Sequence, residues 1–164
     1  MSEHFPSIRK VPLQCNGALY VMPKPDSHRI DETLNHLMGL GVGHIICFME
    51  DDELEMLGLS REPIVADQMG MRFTQYEIVD FGLPGDPAHY REFVKETTTA
   101  IKAGASVAVH CHAGIGRTGT FAACILMELG FAAEEAMAHL SEARGRRAPQ
   151  TEAQRQFVRD FKTH

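Results

Sequence analysis

The 164-residue sequence contains no tryptophan and only three tyrosines. It has no apolar run near the roughly 20 residues that a membrane-spanning helix needs, and its first ten residues, MSEHFPSIRK, have no apolar signal-peptide core. These absences predict a cytoplasmic protein that does not enter a membrane. The net charge of −6 also disfavours nucleic acid and anionic membranes as general partners.

Cysteine is scarce. The four cysteines, Cys15, Cys47, Cys111 and Cys124, show no paired metal-binding spacing and are too few for a disulfide scaffold in a chain of this length. We therefore expect reduced thiols, no metal and no other cofactor. Cys47 and Cys124 lie in apolar segments that are typical of a core. A protective disulfide between Cys47 and an oxidised Cys111 stays open as a further interpretation.

Strand-like and helix-like apolar patterns alternate along the chain. Strands are predicted at 18–22, 44–48, 72–79 and 106–109, and helices at 28–40, 51–58, 60–70, 87–102, 118–129, 132–143 and 149–162. This alternation predicts an α/β fold with a central, mostly parallel sheet and helices on both faces. Residues 1–17 are expected to form an irregular N-terminal arm, followed by a single domain at 18–164.

A glycine-rich loop joins the last predicted strand to the helix that follows it. The loop, which we call the cradle loop (residues 111–117), begins with Cys111 and ends with Arg117. Its glycines let successive N–H groups point at one centre, and the helix start adds a positive dipole end. The sequence therefore predicts a site for a phosphate-like dianion, with these residues as donors: His112, Ala113, Gly114, Ile115, Gly116 and Arg117.

The two ends of the cradle loop carry reactive groups. Cys111 would lie on the floor of the site, where amide dipoles and a guanidinium favour the nucleophilic thiolate. Arg117 would bind two phosphoryl oxygens at once. We expect His110 to fix the loop by a hydrogen bond to backbone, and Thr118 to donate a hydroxyl proton to the sulfur when it leaves. A cysteine that merely ends a core strand would need neither the arginine nor the spaced glycines.

The segment 110–118, HCHAGIGRT, resembles the signature His-Cys-x-x-Gly-x-x-Arg-Ser/Thr of the cysteine-dependent tyrosine and dual-specificity phosphatases. The similarity runs from about Ala18 to Phe161 and is greatest to the kinase-associated phosphatase type. It implies that phosphotyrosine, phosphoserine and phosphothreonine monoesters in proteins or peptides are hydrolysed through a phosphocysteine. The chain departs from the larger classical tyrosine phosphatases, because the loop that carries its candidate general acid has no tryptophan. This departure implies a shallower pocket.

A phosphatase of this type needs a general acid to protonate the leaving oxygen. Asp80 lies on a loop rich in glycine and proline, and its separation from Cys111 resembles that of the acid in dual-specificity phosphatases. Asp86 is the rival, but it is also placed to cap the helix at 87–102. We therefore favour Asp80.

Three further polar segments have two interpretations each. The segment 149–157 resembles a Gln-Thr-x-x-Gln motif whose amides position the hydrolytic water, which implies that role for Gln150 and Gln154. The alternative is an exposed first helical turn. The acidic run 50–53 favours a helix N-terminus over a metal site. The basic run 144–147 fits either the mouth of an anion site or a solvated helix end.

The sequence leaves three other activities open. A phosphoinositide or inositol phosphate phosphatase is disfavoured because the cradle loop lacks the lysines found in the loops of such enzymes and has His112 and Ile115 instead. A phosphate-binding docking module with vestigial catalysis would not need Cys111 or Asp80. Sulfur transfer through a persulfide would give Asp80 no role. A monomer is the default expectation.

Overall fold

The computed structural model describes residue 5 and residues 7–163, and these contain one five-stranded sheet. The strands are β1 (Arg9–Val11), β2 (Ala18–Met22), β3 (His44–Cys47), β4 (Arg72–Gln75) and β5 (Ser106–His110). Their order in the sheet is β1-β2-β5-β3-β4. β1 is antiparallel to β2, and every other pair is parallel. The sheet is therefore mostly parallel, as predicted.

Helices fill most of the remaining chain. They are α1 (Ile30–Gly39), α2 (Asp51–Met56), α3 (Glu62–Gln68), α4 (Pro87–Lys102), α5 (Arg117–Glu128), α6 (Ala133–Arg144) and α7 (Glu152–Arg159), with a 3₁₀ turn at Phe161–Thr163. α4 has the predicted bounds. Of the described helices, none has both the length and the apolarity required to cross a bilayer.

Several elements are shorter than predicted, and local hydrogen bonds explain two of them, β4 and α7. β4 ends at Gln75, after which the chain bonds to β3 only irregularly, through Tyr76 N–H to Cys47 O (2.8 Å) and Ile78 N–H to Phe48 O (3.1 Å). α7 begins after Thr151, because the Thr151 hydroxyl accepts the N–H of Gln154 (3.0 Å) and caps the helix.

The N-terminal arm is partly ordered, contrary to expectation. Arg9–Val11 forms an edge strand, and Val11 is fully buried. Burial of this side chain explains why the segment joins the sheet. Residues 1–4 and 6 of the predicted arm lie outside the described residues.

Hydrophobic clusters cover both faces of the sheet. Side chains alternate along a strand, so Ile45 belongs to the cluster beneath α1 and α3, and Ile46 to the cluster beneath α4, α5, α6 and α7. Phe121 of α5 anchors the second cluster, with its ring centroid 5.0 Å from that of Phe48. The prediction of helices on both faces is confirmed.

The parallel strands all end at the same edge of the sheet. β5 is central, lying between β2 and β3, so the residue that follows it is flanked by the loops after both neighbours. Cys111 is that residue. Open α/β sheets bind ligands at this edge.

Two methionines allow the contribution of the second cluster to be measured. Met137 on α6 is fully buried, whereas Met56 on α2 is 83% exposed. We expect Met137→Ala to lower the free energy of unfolding by about 2–5 kcal/mol, because it leaves a cavity. Met56→Ala should change it by less than about 0.5 kcal/mol. Urea denaturation would test the pair, and equal effects would contradict this description of the core.

Candidate active site

The cradle loop is pressed against the end of β2. Gly114 has φ +73°, and a Cβ there would lie 2.4 Å from the carbonyl oxygen of Met22, so only glycine fits. The N–H of Lys24 donates to the carbonyl of His112 at 3.0 Å. These contacts hold the loop in a fixed curve around Cys111.

The curve leaves a row of backbone donors unused. Among the described residues, the N–H groups of 112–118 reach no backbone carbonyl, and hydrogen bonding resumes with Gly119 N–H to Ile115 O at 3.1 Å. Unpaired N–H groups at the start of a helix attract anions. The loop therefore keeps these donors available to a bound dianion.

Arg117 occupies the centre of the site with a fully buried side chain. Its Nη1 and Nη2 donate to the two carboxylate oxygens of Glu53 at 2.7 and 2.9 Å. Nη1 also lies 3.2 Å from Phe48 O and 2.8 Å from Ile78 O. Within residues 5 and 7–163, its Nε is buried with no partner. One edge of the guanidinium is thus fixed, and Nε is left for a ligand.

Electrostatic shifts agree with this arrangement. Burial alone would lower the pKa of Arg117, but the Glu53 hydrogen bonds, then the nearby Cys111 and the charges of Glu53 and Asp80, raise it above its usual value. Burial would likewise raise the pKa of Glu53, but the Arg117 hydrogen bonds and the N–H of Glu50 lower it. Both groups are therefore held in their charged forms.

Glu53 is a site residue that the sequence did not reveal. Its Oε1 accepts the N–H of Glu50 at 2.9 Å, which completes a capping box on α2. The predicted role of the acidic run at a helix start is therefore correct but incomplete, because Glu53 also binds Arg117. No local pattern links two residues so far apart in the chain.

Cys111 and Thr118 lie buried beside the guanidinium. Cys111 is 3% exposed, and it is close enough to Arg117 and Arg144 to influence the pKa of both. The hydroxyl oxygen of Thr118 is buried and has no partner among the described residues. Both groups are thus shielded from bulk water, and residues 5 and 7–163 offer the Thr118 hydroxyl no competing hydrogen bond.

Asp80 and Asp86 occupy different positions. Asp80 Oδ1 lies 3.1 Å from Arg117 Nη2 and accepts the N–H of Phe81 at 3.0 Å. Phe81 has φ +63°, a turn conformation that is uncommon for a side chain of its size. Asp86 instead caps α4 by accepting the N–H of His89 at 3.1 Å. Of the two, the structure brings Asp80 to the cradle loop.

The C-terminal glutamines lie over the cradle loop. A Cβ on Gly116 would be 3.0 Å from the side-chain oxygen of Gln150 and 3.1 Å from the amide of Gln154. Gln154 is fully buried, and its Nε2 donates to Gly82 O at 3.3 Å, in the loop that carries Asp80. The interpretation as an exposed helical turn is therefore wrong for Gln154. Gln150 is exposed, as that interpretation requires, but its side chain also lies beside Gly116.

Arg144 braces the cradle loop from outside. Its Nε donates to Gly114 O at 3.1 Å and its Nη2 to Ala113 O at 2.9 Å. Burial, followed by the charges of Arg9 and Arg146, lowers the pKa of Arg144, while Cys111 opposes this shift. Arg144 thus lies against the cradle loop and also in the last turn of α6, so the structure shows elements of both interpretations of the basic run.

A cluster behind the loop has atoms that resemble metal ligands. Cys47, Glu62 and His110 are fully buried, with one ligand atom of each within 4.8 Å of the others. However, His110 Nε2 lies 2.8 Å from Glu62 Oε2. Two ligands on one zinc at about 2.1 Å would lie about 3.4 Å apart. The shorter distance fits a hydrogen bond. His110 and Glu62 are therefore better described as hydrogen-bond partners than as ligands of one metal ion.

Cys47 and Cys111 lie in different layers of the fold. Cys47 belongs to the cluster on one face of the sheet and Cys111 to the cluster on the other. A disulfide requires Cβ atoms about 3.5–4.5 Å apart with converging directions. The proposed protective disulfide therefore finds no support in this arrangement.

Fold and site together define a cysteine-dependent phosphatase domain of the dual-specificity class. Residues 15–163 match the family described as "PTP-SAK: Swiss Army Knife protein, DSP-PTPase phosphatase domain", and the chain belongs to this family. Family membership confirms the resemblance of segment 110–118 to the phosphatase signature.

The chain is similar to proteins of the kinase-associated phosphatase type. Human cyclin-dependent kinase inhibitor 3 is 29% identical over 135 residues, which cover 81% of this chain and 63% of that protein. A crystal structure of kinase-associated phosphatase, with its catalytic-site cysteine replaced by serine, has a TM-score of 0.82 at 27% identity and covers 95% of this chain and 93% of its own. Tk-PTP, at 22% identity and a TM-score of 0.76 over 98% of this chain and 99% of its own, shares the fold.

Replacing Glu53 tests whether its hydrogen bonds to Arg117 support anion binding and stability. We expect Glu53→Gln to weaken vanadate binding roughly tenfold or more, since hydrogen bonds to charged groups contribute about 1.5–3 kcal/mol each. Because the pKa of Glu53 is lowered in the fold, its stabilisation is present above the ordinary value of 4.5 and is lost as the pH falls below it. The difference in unfolding free energy between parent and variant should therefore shrink in acid.

Asp52→Asn, at the exposed neighbouring position, is the matched control. It removes a carboxylate from the same helix without touching Arg117. Calorimetric titration with vanadate and urea denaturation at several pH values would check both quantities. Equal losses of vanadate affinity in the two variants would show that the Glu53 contact does not matter.

Proposed function

We propose that this domain is a metal-independent protein phosphatase that hydrolyses phosphotyrosine, and also phosphoserine and phosphothreonine, through a phosphocysteine intermediate. The observation that carries the proposal is the set of unsatisfied donors around Cys111. Among the described residues these are the N–H groups of 112–118, Arg117 Nε and the Thr118 hydroxyl. Buried donors without acceptors are costly, and a phosphoryl dianion would satisfy them.

In the first step the Cys111 thiolate attacks phosphorus, so that a sulfur–phosphorus bond forms and the phosphorus–oxygen ester bond breaks. Arg117 and the loop N–H groups stabilise the charge on the equatorial oxygens. Asp80 donates its proton to the leaving oxygen. The 3.1 Å contact of Asp80 with Arg117 supports this role, because it holds the carboxyl group beside the phosphate position.

In the second step water attacks the phosphocysteine. Asp80, now a carboxylate, takes a proton from the water, and the sulfur leaves with its bonding electrons as thiolate. Thr118 donates a hydrogen bond to that sulfur, and the Gln150 and Gln154 amides orient the water. The position of both amides beside Gly116 supports their role, since any water entering between Asp80 and the loop would meet them.

The surroundings of the site favour a peptide substrate. Apolar side chains on both sides of Asp80 are exposed, namely Val79, Phe81 and Leu83. They offer a surface for the residues next to a phosphorylated side chain.

A phosphoinositide substrate stays the alternative. The PTPMT1 structure in complex with PI(5)P, at 20% identity, shares only the fold.

The free thiols support action in a reducing compartment such as the cytoplasm. A monomer stays the default expectation.

Variants of the nucleophile and the acid test the mechanism. Cys111→Ser should abolish hydrolysis of an aryl phosphate in the presence of EDTA while retaining phosphate binding. Asp80→Asn should slow turnover by about 10²–10⁴-fold for phosphoserine peptides, whose alkoxide leaves poorly, and by less for an activated aryl ester. Asp86→Asn is the control and should leave turnover and stability nearly unchanged, because asparagine caps a helix about as well as aspartate does. A loss of rate in Asp86→Asn but not in Asp80→Asn would reverse the assignment.

The glutamine that bridges the loops should matter mainly in the second step. Gln154→Ala is expected to slow hydrolysis of the phosphoenzyme more than its formation, which gives a burst of leaving group and a phosphorylated Cys111 detectable by mass spectrometry. Gln156→Ala, at an exposed position of the same helix, should do neither. Circular dichroism would verify folding. A steady release of the leaving group without phosphoenzyme would contradict the role of Gln154.

A further inference from the structure

A buried carboxylate lies behind the cradle loop, outside the residues used in the mechanism. Glu62, the first residue of α3, is fully buried, and its Oε2 lies 2.8 Å from His110 Nε2 at the end of β5. Its other oxygen, Oε1, has no partner in the part of the chain that the structure describes. Carboxylates are almost never fully buried unless they are paired. The contact with His110 therefore has to compensate this charge.

The opposite nitrogen of the same ring connects the pair to the nucleophile. His110 Nδ1 lies 3.3 Å from the carbonyl oxygen of Cys111. A carbonyl can only accept a hydrogen bond, so Nδ1 must carry a proton to make this contact. With a carboxylate at Nε2, both ring nitrogens donate and the ring is an imidazolium. One carboxylate would thus set both the orientation and the charge of the ring.

The groups around the ring agree with a cationic form. Cys47 faces it from β3 and Glu62 from α3. Cys111 follows it directly in the chain, and the neighbour from β2 is the uncharged Met22. Burial alone would lower the pKa of His110, but the charge of Glu62, followed by that of Cys47, raises it well above the ordinary value of 6.5. No other cation is among these neighbours.

We infer that Glu62 is a positioning residue for Cys111, which acts by holding His110 as an imidazolium that binds the first peptide of the cradle loop. This inference rests on the proposed function of Cys111 as a nucleophile. The cation stabilises the thiolate by its charge, and the Nδ1 hydrogen bond turns the Cys111 carbonyl away from the site, where it would otherwise repel a phosphate. Glu62 acts on Cys111 only through the ring of His110.

Removing the charge of Glu62 without changing its size tests the inference. In Glu62→Gln the amide can still donate to Nε2, so the orientation of the ring is kept while the imidazolium is lost. Alkylation of Cys111 by iodoacetamide, followed by mass spectrometry across a pH series, reports thiolate formation without any turnover. We expect its midpoint, and the acidic limb of kcat/KM, to move up by roughly one pH unit, a tenfold change.

Asp67→Asn is the matched control, because it removes a carboxylate from the exposed face of the same helix. It should leave the midpoint of alkylation and the acidic limb unchanged. No shift in Glu62→Gln, or an equal shift in both variants, would overturn the inference. If the parent protein shows no phosphatase turnover but the alkylation midpoint still moves in Glu62→Gln, the proposed function fails and the role of Glu62 stands.

The parent protein provides a second measurement, which does not depend on whether Glu62→Gln folds. Nitrogen NMR of the imidazole of His110 at neutral pH should show both ring nitrogens protonated. A neutral ring, with one nitrogen unprotonated, would overturn the inference directly.

Discussion

The site depends on one buried cation, the guanidinium of Arg117. A charge removed from water is tolerated only where partners surround it, and here those partners come from three separate segments. Glu53 from α2 binds it in two places, and the carbonyls of Phe48 and Ile78 bind it from the loops after β3 and β4. Asp80 approaches it from the same loop as Ile78, at the other terminal nitrogen. These loops are thus fixed by the same group that would face the anion in the proposed reaction.

The carbonyl groups of the cradle loop explain why its N–H groups stay free. The carbonyl of Cys111 is held by His110, that of His112 by Lys24, and those of Ala113 and Gly114 by Arg144. A peptide group whose oxygen is bound on the outside of a tight curve directs its N–H inwards. Donor orientation therefore depends on residues outside the loop as much as on the glycines within it.

Local patterns were enough to predict the cradle loop and every strand and α-helix except β1. Apolar periodicity located the strands and helices, and the glycine spacing between a buried strand and a buried helix located the cradle. The capping role of Asp86 also followed from its place just before a helix. The choice of Asp80 needed more, because it rested on its turn-rich loop and on the resemblance to dual-specificity phosphatases. Apart from that resemblance, each of these features is determined by residues close together in the chain.

The roles of the supporting residues were missed or left open for a common reason. Glu53, Glu62 and Arg144 act on residues that are distant in sequence. In the sequence Glu53 is typical of a helix start and Glu62 of an ordinary helix, and Arg144 fits either a helix end or the mouth of an anion site. Only the three-dimensional structure shows that their side chains converge on Arg117, His110 and the loop carbonyls.

The contact between Asp80 and Arg117 links binding to proton transfer in the proposed reaction. Nη2 of Arg117 donates to Glu53 at 2.9 Å and forms an ion pair with Asp80 at 3.1 Å. A phosphoryl dianion needs a proton of that group in addition to Nε. It carries twice the charge of Asp80, whose side chain is 42% exposed and therefore weakly held. Substrate binding would thus displace Asp80 from Arg117 while leaving it within reach of the ester oxygen, so the acid is released where the dianion has bound.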